Sequence, residues 1–305
     1  MTEAAPQTES PTVARRRVRL AVREAREAAN MTQLEVAEEM EWSLSKVIRI
    51  ESGDVSISPN DLRPLLTFLK IKDRAQISAL IGDAKTARMR QHVAWWQDPA
   101  FRDLSQPLRQ YIEYESVAEA IYSYNIRYFH GAVQLPGYAR ALTGPFAEEE
   151  QPLSRDVVEA LIEARRLRRE ALLSRLGSME YYTVVDEAVL MRSTGGPAVF
   201  AEQLREMRRL AIEGLIHMRI LPFSLEIPIA NNATFDLVSL GRDGPGDEVM
   251  YLENGLTDEL IEEKKVTSRH LQRFKQLYNV SLDEAETISF VESRIAVLEN
   301  MINAG

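Results

Sequence analysis

Hydrophobic positions recur along the chain with two different periods. Over residues 13–29, Val18, Val22, Ala25 and Ala29 fall at i, i+4, i+7 and i+11, which predicts a helix with one buried stripe. Arg16, Arg19, Arg23 and Arg26 form a second stripe on a neighbouring face, either a solvated surface or a set of phosphate contacts. Thr32 with Glu35 three residues on spells a capping box, and Leu34, Val36, Ala37 and Met40 supply the apolar side of the helix that follows. Trp42 then plugs a short turn, and Ser43 is the N-cap of a third helix, "LSKVIRIES". Val47, Ile48 and Ile50 read as its buried residues, leaving Leu44, Ser45, Lys46 and Arg49 outward, and Gly53 ends it. Ser58-Pro59 opens a fourth helix carrying Leu62, Leu65, Leu66 and Leu69, and a fifth spans about residues 73–90.

Past residue 90 the two periods alternate. Strand-type runs occur at 120–129, 180–187, 216–223, 233–240 and 247–254. Helical patterns lie between and after them. "LPGYARALT" opens on Pro136, 154–176 is long and amphipathic, and 197–214 again begins with proline. The last helix starts from a capping box at Ser281 and Glu284 and carries Ile288, Val291, Ile295, Leu298 and Ile302. That stripe is either core or a dimer surface. The pattern predicts three regions: a disordered tail over 1–12, an all-α domain of about five helices over 13–90, and an α+β domain over 91–305. Trp95-Trp96 reads as an aromatic anchor packed at the boundary.

Two short helices joined by about three residues inside a five-helix bundle form a helix-turn-helix. Thr32-Gln33, Ala37, Trp42-Ser43, Ser45-Lys46-Val47, Arg49-Ile50-Glu51 and Gly53 resemble the Xre/phage-repressor family of DNA-binding domains over about residues 15–72. The resemblance implies that Gln33 meets a phosphate. It also implies that Leu44, Ser45 and Arg49, following the Ser43 cap, face base edges, and that Lys46 reaches backbone or base. Arg49 is long enough for a bidentate contact to guanine, and Leu44 suits a thymine methyl. Two residues depart from the family. Asn30 and Glu41 stand where glycine is usual, and Glu38, Glu39 and Glu41 bring negative charge toward the DNA. Modest affinity per domain is expected, so function needs a homodimer or a second input.

The blocks "LPGYARAL", "VVDEAVL", "GGPAVFAEQL", "RILPFS", "ATFDLVSL" and "VMYLENGL", in that order, are similar to the C-terminal domain of uncharacterised function in WhiJ-like actinobacterial regulators. That resemblance covers about residues 95–295 and implies a transcription regulator, often paired with a small companion protein.

Charge sharpens the division. The chain has a net charge of −9, but residues 1–90 hold 15 basic and 13 acidic side chains, a net of +2, so the remainder carries −11. Only the first segment suits phosphate. Cysteine is absent, which excludes disulfides and thiolate chemistry and fits a reducing cytoplasm. No apolar run approaches the ~18 residues of a membrane span, and the N-terminus has no secretory h-region.

Catalytic motifs are missing: there is no HExxH, no G-x-S-x-G and no phosphate loop, and His92, His130, His217 and His270 are scattered. "GRDGPGDE" at 241–248 reads as a connection between strands. Asp186-Glu187 and Glu253 are the one candidate carboxylate pair, with helix-start and ion-pair roles as the plainer reading. The basic cluster at 165–169 is a solvated helix face or an anion site. Ligand or partner binding is therefore assigned to Arg165, Arg168, Arg169, Glu187 and Glu253. The expectation is a cytoplasmic, non-enzymatic regulator without cofactor or metal, binding double-stranded DNA as a homodimer through the first domain and a ligand or small partner through the second. The competing reading is an antitoxin-like protein that mainly sequesters its companion.

Overall fold

The structure is a computed structural model that describes residues 10–89, 94–147, 153–226, 233–241, 247–253 and 257–304. Residues 1–9 of the expected tail and most of the 241–248 glycine-rich run lie outside the described residues. The chain divides into two compact units, Met1–Ala94 and Trp95–Gly305.

The first unit holds α1 (Pro11–Ala28), α2 (Gln33–Glu39), α3 (Leu44–Ser52), α4 (Pro59–Phe68) and α5 (Arg74–Thr86). Its core is built from Val18, Val22, Val36, Val47, Ile50, Leu62, Leu65 and Leu66, with Trp42 packed against it. The caps are those the sequence spells. Thr32 and Glu35 make a reciprocal capping box, while Ser43 and Ser58 each accept a backbone N–H at their helix starts.

Among the described residues, three non-glycine residues are left-handed, Asn30, Glu41 and Lys70, at φ of 54°, 54° and 60°. Each ends a helix in the same way. After α2, Glu41 N–H bonds the Glu38 carbonyl at 3.2 Å and Trp42 N–H bonds the Ala37 carbonyl at 2.8 Å. That is the Schellman arrangement, which satisfies the last carbonyls of the helix and lays Trp42 back over it.

The arginine stripe of α1 is neither solvated nor free for phosphate along most of its length. Arg16 and Arg19 are buried, and Arg19 lies against the end of α3, where a Cβ on Gly53 would come within 3.0 Å of it. Arg26 donates from Nε and Nη2 to the two carboxylate oxygens of Glu51 at 2.7 and 2.9 Å. Only Arg23 stays outside, paired with Glu27 one turn on. The period placed these charges on one face, but the partners that turn the face inward lie more than 20 residues away.

The second unit begins with α6 (Gln106–Glu115), β1 (Ala120–Asn125), α7 (Pro136–Thr143) and α8 (Arg155–Leu173). β2 (Glu180–Asp186), α9 (Glu187–Met191), α10 (Gly196–Ile212) and β3 (His217–Leu221) follow. It closes with β4 (Phe235–Ser239), β5 (Glu248–Glu253), β6 (Asp258–Ile261), α11 (Lys264–Val280) and α12 (Glu284–Ala304). The architecture is the α+β domain expected, and β6, α6 and α11 are additions to the sequence reading.

One six-stranded sheet has the order β3-β2-β1-β4-β5-β6. β1, β2 and β3 run parallel, joined by helical crossovers, whereas β4, β5 and β6 are antiparallel to their neighbours. The pairing mode therefore changes between β1 and β4. Alternation along each strand gives the sheet two different faces. Tyr124, Val184, Leu237 and Met250 pack against Leu271, Phe274 and Leu277 of α11. Ser123, Asp236 and Tyr251, consecutive across the strands in register, occupy the opposite face.

α12 corrects one expectation and decides between the two readings of its stripe. Its capping box is Asp283 with Glu286, at 2.8 and 2.9 Å, while Ser281 bonds back to the Leu277 carbonyl. Val291, Ile295 and Leu298 are buried, with α12 packed against α10 and β3, so most of the stripe is core and does not form a free dimer surface.

Candidate functional site

Two places gather exposed or buried polar chemistry, one in each unit. In the first, α3 turns Val47, Ile50 and Glu51 inward at i, i+3 and i+4. The outer face carries two rails. Leu44 and Ile48 form one, at 40% and 43% exposure, and Ser45 and Arg49 form the other, both exposed. Ile48, read from sequence as buried, is thus an outward residue, because it sits about 100° round the helix from Val47. Ser43 is an exposed cap, its hydroxyl accepting the Lys46 N–H at 3.2 Å. Lys46 is partly engaged: its ammonium lies 3.8 Å over the Trp42 ring and 3.2 Å from Asp61. Gln33 donates to Glu51 at 2.9 Å, the carboxylate that already holds Arg26. So Leu44, Ser45 and Arg49 are exposed on the outer face, whereas Gln33 and Lys46 have internal partners.

Glu41 is exposed at the turn between α2 and α3 and left-handed, a conformation that costs a non-glycine residue about 1 kcal/mol or more. Glu41→Gly should therefore stabilise the first unit by about 1 kcal/mol, roughly 4 °C in its melting midpoint. A lowered midpoint would mean that the acid has a compensating contact.

In the second unit, a polar cluster fills the space between the sheet, α6 and α8. Arg168 donates from Nε and Nη2 to the two carboxylate oxygens of Glu115 at 2.8 and 2.9 Å, and both residues are buried. Its Nη2 also lies 3.2 Å from His130 Nε2. A guanidinium only donates, so His130 Nε2 is the acceptor and the proton resides on Nδ1, 3.0 Å from the Tyr181 hydroxyl. The Tyr111 hydroxyl completes the ring's surroundings at 3.1 Å from Nε2.

Burial, and then the charge of Arg168, hold His130 well below the usual histidine range, so it is neutral. Asp236 sits in a central strand. Ser123 donates to one of its oxygens, and Asn125 donates to Ser123 at 2.6 Å. Burial pushes Asp236 up to about 7, against the lowering effects of Ser123 and Arg168. Burial opposes the charge on Arg168 too, but Glu115 outweighs it and raises its pKa.

Beside this cluster lies a cavity of about 390 Å³. Arg165 and Arg168 reach it from one face of α8, and Glu253 reaches it from the end of β5. The structure thus brings together three of the five residues assigned to ligand or partner binding. Arg169 points elsewhere, to Glu206 of α10. Glu187 accepts the Phe223 N–H at 2.7 Å, and Asp186 caps α9 through the Ala188 N–H. The proposed carboxylate pair does not converge. Asp186 and Glu253 end β2 and β5, with two strands between them, on the order of 14 Å at normal strand spacing.

Sequence reading missed Glu115, Ser123, Asn125, His130 and Asp236. The available signals were Ser123 and Asn125 alternating within an aromatic strand, and Asp236 as the one charged residue in "ATFDLVSL". Among the described residues, no group of three or more His, Cys, Asp and Glu side chains is placed to hold a metal ion, and no helix is long and apolar enough to cross a membrane.

Comparison with known proteins fits this division. The family described as Domain of unknown function (DUF5753) matches residues 108–293, more than half of the chain. The chain belongs to the DUF5753 family. A Helix-turn-helix domain matches residues 18–80, which marks the first unit as that of a DNA-binding regulator. No curated protein and no solved structure matches the chain. The DUF5753 match runs from Leu108 in α6 to Ser293 in α12, so it contains the sheet and most of the cavity wall.

Proposed function

We propose that this DUF5753 protein is an Xre-type transcription regulator that reads DNA with α3 and senses a small molecule or companion protein through its second domain. The observation that carries the reading is the outward face of α3. Leu44, Ser45, Ile48 and Arg49 are all exposed on a helix whose other side is locked into a core. Burying apolar side chains such as Leu44 and Ile48 against thymine methyls removes them from water, and Arg49 supplies the bidentate donor for guanine. The similarity to WhiJ-like regulators supports a companion protein or ligand for the second domain. In this reading that domain binds and performs no chemistry. Acidic Glu38, Glu39 and Glu41 beside the recognition helix limit the affinity of one head, so two heads act together as a homodimer.

The test is selection of binding sites from random duplexes with the full chain, followed by anisotropy on the selected site. Two half-sites are expected, about one helical turn (~34 Å) apart or a multiple of it. Arg49→Ala should weaken specific binding by about 1–3 kcal/mol with an unchanged melting midpoint. If Arg49→Ala binds the selected duplex as tightly as the parent, α3 is not the reading helix. A monomer protecting one half-site retires the dimer.

A further inference from the structure

The cavity against α8 is chemically lopsided. Leu108, Val157 and Leu161 give it an apolar wall on the α6 and α8 side. Opposite lie the ends of β1, β4 and β5, at the place where parallel pairing gives way to antiparallel. Breaks of this kind in strand order leave a crevice at the strand ends where α/β proteins hold ligands. Its volume, about 390 Å³, is at the small end of the range for small-molecule sites, roughly 300–1,000 Å³.

Three features show what the cavity lacks. Arg165 donates to the Leu161 carbonyl of its own helix at 3.3 Å and makes no ion pair among the described residues. Burial disfavours its charge, with Glu253 the strongest opposing influence. One turn along, Arg168 spends Nε and Nη2 on Glu115 and His130, while its Nη1 lies where a Cβ on Gly131 would come within 2.6 Å. No hydrogen bond from Nη1 is found among the described residues, so one amino group of this guanidinium is unspent at the same wall. Finally, Gln134 Oε1 and Thr143 Oγ1 are buried with no hydrogen-bond partner among the described residues, and both residues line this cavity. Buried polar atoms of that kind are met by water or by a ligand.

We propose that this cavity binds a small organic anion, a carboxylate-headed molecule with an apolar body, whose head lies between Arg165 and the Nη1 amino group of Arg168. The proposal rests on the reading of the second domain as a sensor. The body lies along Leu108, Val157 and Leu161. Glu253 and Asp258 line the β5 and β6 side, so the negative head is held to the α8 side, and Asp236 meets it as a largely neutral carboxyl below its pKa of about 7. Thr143 donates its hydroxyl proton to the ligand, and Gln134 accepts from any hydroxyl or amide the body carries.

The full chain is titrated calorimetrically, at pH 6, with octanoate and phenylacetate, their neutral amides, and octylamine. At least one acid should bind, with its amide about tenfold or more weaker. Arg165→Gln should lower acid affinity about tenfold or more and leave amide affinity unchanged. Val157→Trp, which fills the apolar side, should abolish binding of acid and amide alike. The proposal is overturned if no acid binds, if amide or amine binds at least as well as acid, or if Arg165→Gln leaves acid affinity unchanged. Affinity for the selected duplex is followed in the same samples. An acid that binds without altering it keeps the site and retires the sensing reading. Unchanged sequence-specific DNA binding with no acid bound retires the site alone.

Discussion

Arg168→Met should lower the unfolding free energy of the second domain by about 3–5 kcal/mol, the largest effect expected of any single substitution in this protein. The main cause is the uncompensated charge that would remain on Glu115. Glu115 is buried, and the two hydrogen bonds from Arg168, at 2.8 and 2.9 Å, are what make its carboxylate tolerable there. Removing the guanidinium also takes a donor from His130 and a cation from 5.4 Å over the Tyr111 ring. Arg168→Lys should recover only part of the stability, because an ammonium cannot reproduce the planar fork. Glu115→Leu with Arg168→Met should recover most of it, since an apolar pair leaves no buried charge unpaired. The measurement is urea unfolding in a Trp42→Phe background, where Trp95 and Trp96, packed near Phe101 in the second unit, report that unit. A double variant no more stable than Arg168→Met would show that the site needs the ion pair itself.

What the sequence disclosed and what it hid follow from the range of the interactions. Most local signals were reliable, although the last capping box lies at Asp283 and Glu286 and Ile48 faces outward. The capping box at Thr32, the caps at Ser43 and Ser58, the left-handed end at Gly53 and the unusual Glu41 all depend on neighbours within a few residues. Five strands and most of the long helices were legible because period-2 and period-3.6 patterns are local too, and the α+β character follows from their order; the 17-residue α11 was not read. The arginines were not legible. Whether Arg26 faces solvent depends on Glu51, and whether Arg168 does depends on Glu115, 53 residues earlier. The cluster at 165–169 looks uniform as text, but successive residues on a helix point about 100° apart. Arg165 and Arg168 line the cavity, Arg166 pairs with Glu163 and Glu170 on α8 itself, and Arg169 goes to α10. Partners far along the chain also conceal the polar cluster: Ser123, His130 and Asp236 come from three separate segments, and only sheet order and register unite them.

Asp236→Asn should stabilise the second domain by an amount that grows with pH, by roughly 3 kcal/mol more at pH 8 than at pH 5. The folded pKa of Asp236, about 7, lies above the ~4 of an unfolded aspartate. The native state therefore binds the proton more tightly, and this residue alone makes stability fall as pH rises from about 4 to about 7. The groups facing it are Ser123 on β1, Tyr111 and Glu115 on α6, Arg168 on α8, Tyr181 on β2, Glu253 on β5 and His130. His130 acts in the opposite sense. Its folded pKa lies well below 6.5, so the unfolded state binds that proton more tightly, and stability from this residue is lost as pH falls below the unfolded value. Between about pH 4 and 6.5 the folded pair keeps its proton on Asp236, whereas the unfolded chain keeps one on His130. The two slopes oppose each other, and the parent should be nearly flat there with respect to this pair. Each single variant exposes the other residue. Asp236→Asn should gain stability as pH rises toward 6.5, and His130→Gln should lose it across pH 4–7. Urea midpoints of the second domain at pH 5, 6.5 and 8 distinguish these directions. Parallel profiles for the parent and Asp236→Asn would show that Asp236 is already ionised at pH 5, and that the cluster is held by a buried charge network in place of a shared proton.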